Sequence, residues 1–125
     1  MIDGFVEPSL DAVVTLNVRG PEGSETIDVV VDTGFSGWIS LPSHLVRRLG
    51  LPWMRSGRAA LADGTEVKME VYDGEVEWHD GWRAVAIDEA DTDPLVGMSL
   101  LRQSRLVIEV TEGGHIRIEP LGNES

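Results

Sequence analysis

The sequence predicts a mainly β fold in one small domain, and three observations carry that expectation. Short runs rich in Val, Ile and Thr recur along the chain, separated by turn signals built from Gly, Pro and Asp. Only two stretches combine helical apolar spacing with helix end signals, and both are short. Finally, the β-branched run Val29-Val30-Val31 leads straight into Asp32-Thr33-Gly34, a turn suited to holding one carboxylate at a strand end.

The size and composition set limits. With 125 residues and 42% hydrophobic content, residues 1–125 are expected to form a single domain, its core at about 11–119 and a polar tail at 120–125. A chain of this length buries roughly two-thirds of its unfolded surface. The absence of cysteine excludes disulfides, thiol catalysis and thiolate metal sites. His44, His79 and His115 share no ligand spacing, so no metal and no cofactor are expected. No apolar run approaches the ~18 residues of a membrane span. The start, Met1-Ile2-Asp3-Gly4, lacks the basic and apolar regions of a signal peptide. A soluble, cytoplasmic protein is expected. A net charge of −12, from 22 acidic against 10 basic residues, argues against nucleic acid and anionic membranes as partners. It either favours basic substrates or simply solvates the surface.

Residues 1–8 carry Phe5 and Val6 among polar neighbours and are either frayed or paired. Residues 12–18 alternate apolar and polar from Val14 onward, Gly20-Pro21-Glu22-Gly23 turns the chain, and 26–31 returns as the second arm of a hairpin. In the turn that follows, Thr33 offers a short hydroxyl, and Gly34 lets a backbone N–H approach the Asp32 carboxylate. An ordinary surface turn can carry the same three residues. Trp38 to Leu41 reads as a short strand ended by Pro42. A helix is expected over 44–49, with Ser43 as N-cap, Leu45, Val46 and Leu49 as its apolar stripe and Gly50 as its stop.

Residues 58–61 and 67–72 flank Ala62-Asp63-Gly64-Thr65, where Asp63-Gly64 is a two-residue hairpin signal. Residues 75–78 and 82–87 form a further hairpin across His79-Asp80-Gly81. The acidic loop 89–93 either borders the cleft or is merely solvated. Residues 97–104 suit a short helix, and 106–110 with 116–119 a closing hairpin around Glu112-Gly113-Gly114.

The strand with Asp32-Thr33-Gly34, followed by Pro94-Leu95-Val96-Gly97-Met98-Ser99-Leu100-Leu101, resembles the retropepsin-like aspartic proteases over residues 11 to 110. In that family an apolar-apolar-Gly segment passes beside the catalytic turn and opens a short helix. The resemblance implies a closed barrel-like β sheet with a flap hairpin and one or two short helices, assembling as a homodimer. It makes Asp32, Thr33 and Gly34 catalytic, with each Thr33 bracing the opposite turn. It places substrate against Phe35, Ser36, the flap tip Ala62, Asp63, Gly64 and Thr65, and Val96 and Gly97. Residues 2–7 and 115–119 become interface candidates. Retroviral members pair an Asp two residues after the first motif's Gly with an Arg after the second motif's Gly. Ser36 and Met98 stand at these places, so this site must be braced another way.

Only one Asp-Thr-Gly occurs in the chain, half of what a two-carboxylate site needs. The expected function is a homodimeric aspartic endopeptidase acting on peptide or protein substrates, and the alternative is a non-catalytic dimerisation or peptide-binding module on the same fold.

Overall fold

Alternation of buried and exposed residues sets the architecture. A computed structural model describes residues 1–122; of the tail expected at 120–125, positions 123–125 lie outside the described residues. Strands β2 (Ala12–Gly20) and β3 (Gly23–Val31) form the expected hairpin. Val14, Leu16 and Val18 of β2 and Ile27 and Val29 of β3 enter the core. On the opposite face the polar positions bond across strands, Thr15 to Asp28 and Thr26 to Asn17. Each buried aliphatic side chain contributes about 2 kcal/mol, so the apolar face fixes which way the hairpin lies.

The next elements are β4 (Ile39–Leu41), α1 (Ser43–Leu49), β5 (Trp53–Ala60), β6 (Glu66–Trp78) and β7 (Gly81–Glu89). They are followed by β8 (Leu95–Val96), α2 (Met98–Leu101), β9 (Ser104–Ile108) and β10 (His115–Pro120), while β1 (Ile2–Val6) precedes them all. The strands make one sheet in the order β5-β6-β7-β4-β8-β3-β2-β1-β10-β9. A further pairing of β6 with β2, Val18 opposite Val76, closes β2, β3, β8, β4, β7 and β6 into a barrel. The expected mainly β, barrel-like fold with two short helices is the one found.

Several local expectations are corrected. Pro42, not Ser43, is the N-cap of α1 and gives no side-chain cap; Ser43 begins the helix and its hydroxyl bonds Asp91. Gly50 ends α1 in the left-handed region as expected, and Leu45, Val46 and Leu49 are buried. The strands read separately at 67–72 and 75–78 are one strand, β6, running unbroken through Asp73 and Gly74. Its first partner is longer than expected, beginning at Trp53.

The helix expected over 97–104 stops at Leu101. Leu100 and Leu101 are already buried, Arg102 and Gln103 have nothing to pack against, and Gln103 turns the chain with φ 66°. The terminal strands are also placed differently. β1 lies between β2 and β10, and β10 between β1 and β9, so neither 2–7 nor 115–119 has a free edge to offer a second chain. Among the described residues the free edges are β5 and β9.

Candidate functional site

Asp32 sits where β3 leaves the sheet. Its approach is fixed on both sides: β3 pairs with β2, and in parallel with β8, Val30 opposite Leu95 and Val31 opposite Val96. The Asp32 N–H donates to the Val96 carbonyl at 3.0 Å, and the Asp32 carbonyl accepts from Phe35 N–H at 3.1 Å, closing the turn. Within it the Gly34 N–H donates to Asp32 Oδ1 at 2.9 Å. Asp32 is half-buried, and Thr33 and Gly34 are exposed. Val30 and Val31 are also only half-buried, so β3 is not enclosed on both faces where it nears the turn.

The brace that replaces the missing Asp–Arg pair is made of backbone. The N–H groups of Gly97, Met98 and Ser99 donate to the carbonyls of Trp38, Phe35 and Gly37 at 3.0, 2.8 and 3.1 Å. The Ser99 hydroxyl donates to the Ser36 carbonyl at 2.6 Å. The first turn of α2 thus uses donors that a helix start leaves free to hold the loop after Asp32. Arg83 stacks over Trp38, 5.1 Å from its ring centroid, at the far end of that loop.

Some expected substrate contacts have a different position. The Val96 side chain is 0% exposed and belongs to the core. Gly97 is buried, and a Cβ there would press on the Gly37 carbonyl and the Phe35 ring. Both residues support the turn from behind. Phe35 folds its ring over Gly37 and Gly97, and so packs onto its own loop without narrowing a pocket beside Asp32. Ser36 is exposed beside the turn.

A cavity of about 480 Å³ opens at Asp32, lined also by Asp11, Val30, Val31, Thr92, Asp93 and Leu95. Thr92 and Asp93 come from the acidic loop, which does border the site. Asp11 gave no signal in the sequence, because it is brought there by the β1–β2 connection. Ala62, Asp63, Gly64 and Thr65 do not line this cavity; all are exposed at the tip of the β5–β6 hairpin. That tip is not the expected two-residue turn. Leu61 N–H bonds the Thr65 carbonyl, Gly64 N–H bonds the Leu61 carbonyl, and only Gly64 takes positive φ, at 88°. Among the described residues no group of three or more His, Asp or Glu side chains is arranged to hold a metal.

No family model matches the sequence, and no curated protein matches it. Among solved structures the chain is similar to a retropepsin-like aspartic protease from Rickettsia conorii, with a TM-score of 0.56 and 17% sequence identity, covering 96% of this chain and 91% of that one. At that identity the likeness is one of fold, and the chain has the retropepsin-like fold.

Proposed function

We propose that the protein is an aspartic endopeptidase that works as a homodimer, with the Asp32 carboxylates of two copies meeting at the two-fold axis. The observation that carries this reading is the Asp32 turn: rigidly held from behind by β8 and α2, yet exposed at Thr33 and Gly34, where a second copy would dock. Two carboxylates that close cannot both ionise cheaply, so the pair holds one proton.

The chemistry then balances with no other reagent. The ionised Asp32 takes a proton from water as the water oxygen bonds to the scissile carbonyl carbon. The protonated Asp32 of the other copy gives its proton to the carbonyl oxygen. The tetrahedral diol collapses: the C–N bond breaks, the nitrogen leaves with the proton that the first Asp32 took from water, and a diol hydroxyl gives its proton to the second Asp32, which restores the singly protonated pair. Each Thr33 braces the opposite turn, and Gly34 faces the peptide backbone. The β5–β6 hairpin serves as a flap, closing over bound peptide through Ala62 to Thr65. Because each copy carries −12, assembly works against repulsion and should tighten with added salt.

The test is incubation with a diverse peptide library at several pH values, wild type beside Asp32→Asn. Cleavage by the wild type alone supports the endopeptidase. Peptide binding by both proteins with cleavage by neither favours the non-catalytic module.

A further inference from the structure

One row of side chains crosses the sheet on the face turned away from the core. Residues paired across neighbouring strands point to the same face. The register runs Arg55 to Val71, Val71 to Asp88, Asp88 to Ser40, Ser40 to Leu95 and Leu95 to Val30. The chain neighbours Tyr72, Ile87, Ile39 and Val96 belong to the core or pack on it, which fixes the row to the other side. Val30 and Leu95 line the Asp32 cavity, and Arg55 lies in the base of the β5–β6 hairpin. The row is therefore a floor leading from the proposed catalytic turn to the proposed flap.

Two polar groups in the middle of this floor lack partners. Ser40 is 4% exposed, and its hydroxyl has no hydrogen bond among the described residues. An unpaired buried hydroxyl destabilises the fold, a cost that a ligand can relieve. Asp88 is half-buried, and no donor among the described residues bonds its carboxylate. Burial pushes the Asp88 carboxyl up from its ordinary value, and the Arg55 guanidinium pulls it part of the way back without touching it. Arg55 Nη1 lies instead against Gly57, 3.6 Å from where a Cβ would stand. Asp88 Oδ2 lies 3.2 Å from the corresponding point on Gly37, which sets the carboxylate beside the Asp32 loop, next to the Phe35 ring that packs over the same glycine.

We propose that Asp88 and Ser40 form a subsite that selects peptides carrying an arginine side chain. The guanidinium fits both groups, because its planar fork gives two parallel bonds to a carboxylate and keeps further N–H groups for the Ser40 oxygen. The acidic surface, −12 overall, draws such peptides in. Asp88 stands two strands from Leu95, about 10 Å, which an extended peptide covers in about three residues. The selected arginine therefore lies a few residues from the scissile bond. The proposal rests on the peptide-hydrolysis reading for the word scissile, but its binding half stands apart from turnover.

The experiment uses eight-residue peptides in which one position at a time carries arginine or its uncharged isostere citrulline. Cleavage is measured with the wild type, and binding by fluorescence anisotropy with Asp32→Asn. Arginine should win at one position by about tenfold, the size of one good charge-assisted contact. Adding Asp88→Asn should shrink that ratio to within about twofold. Ser40→Ala should reduce it in part, and Arg55→Ala, which removes the competing cation, should widen it. These last two keep the test open should Asp88→Asn misfold. An arginine preference in binding without any cleavage upholds the subsite and sinks the hydrolysis reading. Equal affinity for the two peptides at every position, no binding of either, or a ratio unmoved by all three substitutions overturns the subsite.

Discussion

Asp32 and Asp63 cap their turns in the same way, each Oδ1 accepting from the backbone N–H two residues on, at 2.9 Å in both cases. Their settings differ in every other respect. Asp63 also accepts from the Thr65 hydroxyl at 2.6 Å, and chiefly that bond, with the Thr65 N–H, holds its carboxyl below the usual range. Its turn is fully exposed and tied only to its own hairpin. The Asp32 turn is clamped by β8 and by the first turn of α2, while its outer residues stay open. A local hydrogen bond thus makes an Asp turn, and only non-local packing turns one into a rigid platform. The local cap could not separate these cases, since an aspartate accepting from the N–H two residues on is present in both.

The largest contrast should appear in catalysis. Asp32→Asn keeps the Oδ1 acceptor and hence the turn, so the melting temperature should barely move while hydrolysis falls by roughly a thousandfold or more. Asp63→Asn should leave hydrolysis within about fivefold, because the tip supplies contacts and no proton transfer. Initial rates on one peptide, with a melting curve for each variant, decide this. Equal losses would erase the distinction between platform and tip.

Stability should divide the two turns in the same direction. Gly97→Ala places a Cβ against the Gly37 carbonyl and 2.6 Å from the Phe35 ring, with backbone on one side and a packed ring on the other. Overpacking of that kind costs about 3 kcal/mol. Gly64→Ala meets nothing within 4 Å and suffers only from its φ of 88°, a cost of about 1 kcal/mol. Urea titrations of the two variants should keep that order; a reversed order would show that the loop after Asp32 is the softer element.

What the sequence could and could not reveal follows from the same contrast. The β2–β3 hairpin, the strand into Asp32 and the stop at Gly50 were legible because each depends on near neighbours in the chain. The cap at Pro42 was misassigned because Ser43 found a partner in Asp91, distant in sequence. The packing of the Phe35 ring was not legible, because it lies over two glycines, one of them Gly97 from the second motif. Asp11, Asp88 and Ser40 gave no signal at all. Their places depend on registers between strands far apart in the chain, such as β4 against β7 and β8, which no local pattern encodes.

The smallest effect belongs to a third turn, at His79, which has φ 53° and bonds Ser104 Oγ through Nε2 at 3.0 Å. Burial, with a smaller push from the N-terminal charge, holds its pKa below 6.5. The unfolded chain therefore takes up the proton first on acidification. This contribution is fully present above pH 6.5 and is lost as pH falls through 6.5 toward the lower folded value. His79→Gln should flatten the stability profile slightly over that window in urea titrations; an unchanged slope would remove His79 from the account.

The central claim is that each chain carries half of a catalytic site, completed by a second copy at Asp32. The most direct measurement is the initial rate of hydrolysis when wild type and Asp32→Asn are mixed and equilibrated at fixed total concentration. If two ionisable Asp32 side chains are needed, the rate follows the square of the wild-type fraction, because mixed dimers are inactive. A rate that falls in simple proportion to the wild-type fraction would mean that each chain works alone, and would contradict the account.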